Sequence, residues 1–125
     1  MLNRHRFLLA LCLSLSVPQL PAQEEAADPA LELYFAANAA YNRRLYPIAA
    51  GNYQSFISRY AAHPKAQLAR YGLGLSQFAL KQYDKAVGEF LKLINEPKLD
   101  SKIERGRLTL LHAQCLLYGG KKEEA

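Results

Sequence analysis

The segment Tyr71–Pro97, YGLGLSQFALKQYDKAVGEFLKLINEP, restricts the possible folds more than any other stretch, because its first helix carries two apolar stripes where an ordinary surface helix carries one. Leu68, Tyr71, Leu75 and Phe78 recur at helical spacing along one line. Ala69, Leu73, Ser76 and Leu80 form a second line on a different face. Two stripes need two partners, as for a helix packed between its own hairpin mate and a neighbouring pair in a stacked helical array. The helix after it supplies the mate: Ala86, Phe90, Leu93 and Ile94 are expected to face inward, with Lys85, Glu89 and Lys92 outside and Lys85 paired to Glu89 across one turn.

The same periodicity extends in both directions, and no segment reads as a strand. Asp28 followed by Pro29 is a helix start, with a capping side chain and a proline in the first turn. The first helix carries apolar residues recurring at three and four, Leu31, Tyr34 and Phe35, then Tyr41 and Leu45, interrupted by Asn38. Pro47 restarts a second helix, carrying Ala49, Ala50, Tyr53, Phe56, Ile57 and Tyr60, and Pro64 restarts a third. A fourth begins at Tyr83 and Asp84 and ends at Asn95–Pro97. Asp100 and Ser101 are expected to cap a fifth, which Gly119 and Gly120 should stop.

Self-similarity supports an array. LYPIAAGNYQSFI aligns with QYDKAVGEFLKLI, so that Tyr46, Ala49 and Tyr53 correspond to Tyr83, Ala86 and Phe90 at an offset of 37 residues. LLHAQCLLYGGKKEEA begins a third copy at an offset of 39, with Ala113 matching Gly74. Gly74 and Ala86 are placed where two helices approach closely, and Gly88 is expected to serve the next such contact.

On these residues the chain resembles the tetratricopeptide repeat family, whose two-helix hairpins carry a Leu-Gly pair, then a small Ala, an aromatic four residues later and a closing Pro. Leu73-Gly74, Ala86, Phe90 and Pro97 match in order. Arg70 stands where the family favours Trp, Phe78 lies one place after the favoured aromatic, and Pro97 lies one place early. The stretch from Phe56 to Gly74, F-x3-Y-x2-HP-x-A-x2-A-x-Y-x-LG, is similar to the longer repeats of exported bacterial members, those of the outer-membrane assembly lipoprotein and cell-division coordinator types. The resemblance implies an all-α, right-handed solenoid of antiparallel hairpins over residues 30–125, with repeats at about 30–63, 64–98 and a partial 99–125. On this expectation the fifth helix lacks its mate, and either a longer native protein or poor solubility follows.

The N-terminus reads as an export signal. Arg4 and Arg6 precede a largely apolar run from Phe7 to Val17, broken by Pro18 and Pro21 before Ala22, so residues 1–22 are expected to be removed after Ala22, leaving a short acidic tail over 23–29. The apolar run is too short for a bilayer span, so no stable membrane span is expected after cleavage. Leu11 before Cys12 does not fit a lipid-anchor signal. The net charge of +5 falls to +3 once Arg4 and Arg6 are gone, and no basic stripe interleaved with aromatics points to nucleic acid.

Chemistry-bearing residues are sparse. His112 and Cys115 lie three apart on one helix, a spacing that could share a metal or start a nucleophilic dyad, but no acidic residue lies within a turn of His112 and the other histidine of the mature chain, His63, sits in an inter-repeat turn. The expectation is therefore no enzyme and no cofactor, but an exported scaffold in the periplasm or cell envelope that binds a protein or peptide with apolar anchors. The alternative is a structural spacer or self-association module of a larger envelope protein. The resemblance places partner binding on the first helix of each hairpin, at Tyr34, Asn38 and Tyr41, then Tyr71, Leu75 and Phe78, then Gln114, with Phe35, Leu110 and Tyr118 on the same face. The same side chains could instead pack between repeats.

Overall fold

The computed structural model describes residues 26–123, together with Ser16 and Pro18; the expected cleavage point after Ala22 and the body of the expected signal lie outside them. The described residues form five helices and no strand: α1 Pro29–Asn42, α2 Tyr46–Arg59, α3 Ala66–Ala79, α4 Tyr83–Ile94 and α5 Arg105–Glu123. Each helix packs on the next, and α1 also touches α3. This is the contact pattern of repeated helical hairpins. No described helix is long and apolar enough to cross a membrane.

The repeat is carried by helix boundaries and turns as well as by side chains. α1 and α3 both start and end 37 residues apart, α2 and α4 start 37 apart, and α3 and α5 start 39 apart. The turns α1–α2 and α3–α4 are copies. Arg44 and Lys81 both take left-handed backbone, with φ of 61° and 59°. In each turn that residue's N–H reaches back three residues, to Tyr41 or Phe78, and the next N–H reaches back five, to Ala40 or Gln77. These paired bonds satisfy carbonyls the helix end would otherwise leave open, which offsets the cost of left-handed backbone at a residue other than glycine.

The two stripes of α3 sit on two separate cores, as the spacing requires. Ala69 and Leu73 belong to one cluster with Ala37, Ala49, Tyr53 and Phe56. Leu68, Tyr71, Leu75 and Phe78 pack on the other, with Ala86, Phe90, Leu93, Leu108 and Cys115. Small residues let the helices approach closely. A Cβ added at Gly74 would come 2.5 Å from the Phe90 ring, and one at Gly72 would enter the Tyr53 ring.

Several expectations are corrected. α1 ends at Asn42, which leaves Leu45 outside it; it buries Ala30, Ala37 and Ala40 while Phe35 is exposed, because the close approach of α2 selects the smallest side chains over the most apolar. Gly88 has nothing within 4 Å of an added Cβ and serves no contact. Asp100 caps a turn through the N–H of Lys102, and α5 starts later, at Arg105. α5 also runs through Gly119 and Gly120 to Glu123, since a glycine costs a helix only about 1 kcal/mol and neither glycine takes positive φ.

Polar contacts lock the hairpins together. The Asp28 carboxylate caps α1 by accepting the N–H of Ala30 at 2.9 Å and of Leu31 at 3.4 Å. His63, in the α2–α3 turn, accepts the Lys65 N–H on Nδ1, which leaves its proton on Nε2 to donate to Asp28 at 3.3 Å. Gln67 grips the α4–α5 loop from both ends of its amide, donating to the Lys98 carbonyl and accepting from the Asp100 N–H. Arg105 donates to the carbonyls of Ile94 and Glu96, closing the C-terminus of α4.

Candidate functional site: the face of the first helices

The residues expected to bind a partner lie on α1, α3 and α5, and most are tied to packing partners. Tyr34 is half-buried, with its ring 5.9 Å from Phe56 and 6.4 Å from Tyr53, and it packs against both cores. Tyr71 lies 6.2 Å from Phe90, and Leu75 packs on the same core. Tyr41 meets Tyr46 edge-on at 5.4 Å. Phe78 meets Tyr83 at the same distance and in the same manner one repeat later. Tyr118 of α5 closes a triad with these last two rings, 6.2 Å from Phe78 and 5.4 Å from Tyr83.

What remains open to a partner is narrower than the expected set. Phe35 and Leu110 are each 58 % exposed and Tyr118 is 37 % exposed, while Tyr34, Asn38, Tyr41, Tyr71, Leu75, Phe78 and Gln114 are half-buried. The three helices share electrostatics on this side. Burial and the neighbouring Tyr46 push the Tyr41 hydroxyl above the usual tyrosine range, and the Arg107 guanidinium of α5 pulls in the opposite direction. The face is therefore aromatic and half-sunk, with one cation near its edge.

Asn38 has a defined structural partner. Its Oδ1 accepts the Tyr53 hydroxyl at 2.5 Å, and that hydroxyl is held protonated by burial, which pushes its pKa up to about 12. Thirty-seven residues later the corresponding positions are Leu75 and Phe90. A polar pair in the first hairpin is thus replaced by an apolar pair in the second, and both meet the rule that a buried polar group needs a partner.

Other features escaped the sequence. Glu89 pairs with Arg70 across α3 and α4 at 2.6 Å, with Lys92 a further 3.6 Å neighbour, and no Lys85–Glu89 bridge forms. Arg70 stands where the resembled family favours Trp, so a charged clamp occupies that place. A cleft of about 460 Å³ between α2 and α4 is lined by Gly51, Gln54, Gln77, Gln82 and Lys85 among others. Gln77 is buried, and its Oε1 lacks a hydrogen-bond partner.

His112 is half-buried and Cys115 fully buried in the second core. Burial pushes the Cys115 thiol up to about 11, so it stays protonated and poorly nucleophilic near neutral pH. No three His, Cys, Asp or Glu among the described residues are grouped to hold a metal ion. Comparison with protein-family models, curated proteins and solved structures returns no match for this chain.

Proposed function

We propose that this chain is an exported scaffold of tetratricopeptide-like hairpins, stacked as a right-handed solenoid, that binds a protein or peptide in the bacterial envelope and catalyses no reaction. The observation that carries this reading is the exposure of Phe35, Leu110 and Tyr118, three large side chains of the first helices α1 and α5, beside half-sunk aromatics. Large apolar side chains left in water on a rigid support are the usual anchors of peptide and helix recognition. The basic N-terminal segment with its short apolar run supports export. A spacer or self-association module is the second reading, favoured by the exposed Leu116 and Leu117 of α5.

Photo-crosslinking in the source cells tests the proposal. A benzophenone side chain in place of Phe35 or Leu110 should yield one adduct of the same discrete mass from both sites. Exposed controls on the second helices, Ile48 of α2 and Leu91 of α4, should not yield it. Adducts of equal strength from all four sites, or none from Phe35 and Leu110, would overturn the assignment of this face.

A further inference from the structure

Among the described residues two polar side chains are buried, Ser76 and Gln77. The Ser76 hydroxyl donates to the Gly72 carbonyl at 2.8 Å, whereas the Gln77 Oε1 has no partner. A buried carboxamide left unbonded is costly, and the repeat does not demand one. Thirty-seven residues earlier the same place on α1 is Ala40, which is buried as well. Gln77 lines the cleft of about 460 Å³ between α2 and α4, a volume suited to a small molecule.

The walls of this cleft are polar where the repeat elsewhere is apolar. Gln54, Gln82 and Lys85 line it, and their counterparts in the other hairpin are Leu91, Leu45 and Ile48, all exposed. The three carboxamides each offer a donor and an acceptor. Lys85 makes no ion pair among the described residues, while the Glu89 carboxylate is held by Arg70 at 2.6 Å and Lys92 at 3.6 Å. The charge left to recruit a ligand is therefore a single cation. Ala50 and Leu73 add apolar wall, and Gly51 keeps the cleft open, since a Cβ there meets nothing within 4 Å.

We infer that this cleft binds a small carboxylate that also carries an amide group, a molecule of the N-acyl amino acid type. Lys85 takes the carboxylate. The Gln77 carboxamide meets the amide of the ligand, donor to acceptor and acceptor to donor, a match that a hydroxyl cannot make through both ends at once. None of the lining residues belongs to the first-helix face proposed above, so the two readings stand separately.

The test is a titration of the ¹⁵N-labelled full-length protein with N-acetylalanine, read by NMR at the side-chain NH₂ of Gln77. A saturable shift is expected. The primary amide of N-acetylalanine, which lacks the charge, should bind about two- to five-fold more weakly, the range for an exposed ion pair, and Lys85→Met should remove that difference. Gln77→Leu should weaken binding of N-acetylalanine about three- to ten-fold, the range for a lost hydrogen bond. Gly51→Leu should fill the cleft and abolish binding without lowering the melting temperature, because its side chain enters open space. The inference is overturned if Gln77 shows no saturable shift, which would leave water as its partner. It is overturned equally by equal affinity for N-acetylalanine and its amide, by binding unchanged in Gln77→Leu, or by binding that survives in Gly51→Leu. Should Gln77→Leu fail to fold, Gly51→Leu and the two ligands decide the matter alone. Since no variant touches the first-helix face, failure here leaves the crosslinking experiment intact.

Discussion

Phe90→Ala is expected to destabilise the protein by about 3–5 kcal/mol, the range for removing a fully buried phenylalanine that leaves a cavity behind. Phe90 has no exposed surface, its ring fills the space left by Gly74, and it faces Tyr71 across the α3–α4 interface. A loss of that size is a large part of the ~5–15 kcal/mol that holds a typical domain folded. Its location matters as much as its magnitude. Each helix leans on its sequence neighbours, and the first core contains no α4 or α5 residue, so the damage should stay in the second core. Hydrogen exchange should show α4 and α5 losing protection while α2 keeps most of its own. Uniform loss across all five helices, or a urea midpoint corresponding to less than about 1 kcal/mol, would contradict two separable cores.

Gly74→Val is expected to cost about 3 kcal/mol, the upper end for forcing extra atoms into a packed interface. Its first added atom already falls 2.5 Å from Phe90, a ring held on all sides and unable to swing away. Gly88 is the natural control. It lies in the helix that carries Phe90, yet a Cβ there meets nothing within 4 Å, so Gly88→Ala should stabilise by about 0.5–1 kcal/mol through helix propensity alone. Opposite signs in thermal or urea unfolding are the expected result. Equal effects at the two sites would mean that close approach at Gly74 contributes nothing to stability.

The contrast between these glycines marks what could be read from the sequence. The two stripes of α3, the Asp28–Pro29 start, the restart at Pro47 and the offsets of 37 and 39 were legible, because each is a local pattern whose physics acts within one helix or turn. Gly74 was recognisable from its place before the Ala-x3-Phe segment, whereas Gly88 looked alike and differs only in what lies opposite, which no local pattern records. The buried face of α1 escaped the sequence for the same reason. Phe35 is among its most apolar residues, but the packing distance of α2 favours Ala37 and Ala40. Glu89 had Lys85 one turn away in sequence and pairs with Arg70 on another helix instead, a choice made by interhelix geometry. The candidate site was legible as a set of aromatics on first helices. Which of them stay open, Phe35 and Tyr118 more than Tyr34 or Tyr71, depends on the neighbouring helices.

The equivalence of the hairpins underlies the proposed scaffold, and a double-mutant cycle on Asn38 and Tyr53 tests it most directly. Asn38→Leu alone leaves the buried Tyr53 hydroxyl without its acceptor and should cost about 1–3 kcal/mol. Tyr53→Phe alone strands only the half-buried Asn38 amide and should cost less. Together the two substitutions rebuild in the first hairpin the Leu75–Phe90 pair of the second, so the double variant should return to within about 0.5 kcal/mol of the parent, with a coupling of about 1 kcal/mol or more. Simple addition of the two single costs in the double variant would contradict the register, and with it the claim that these helices repeat one unit.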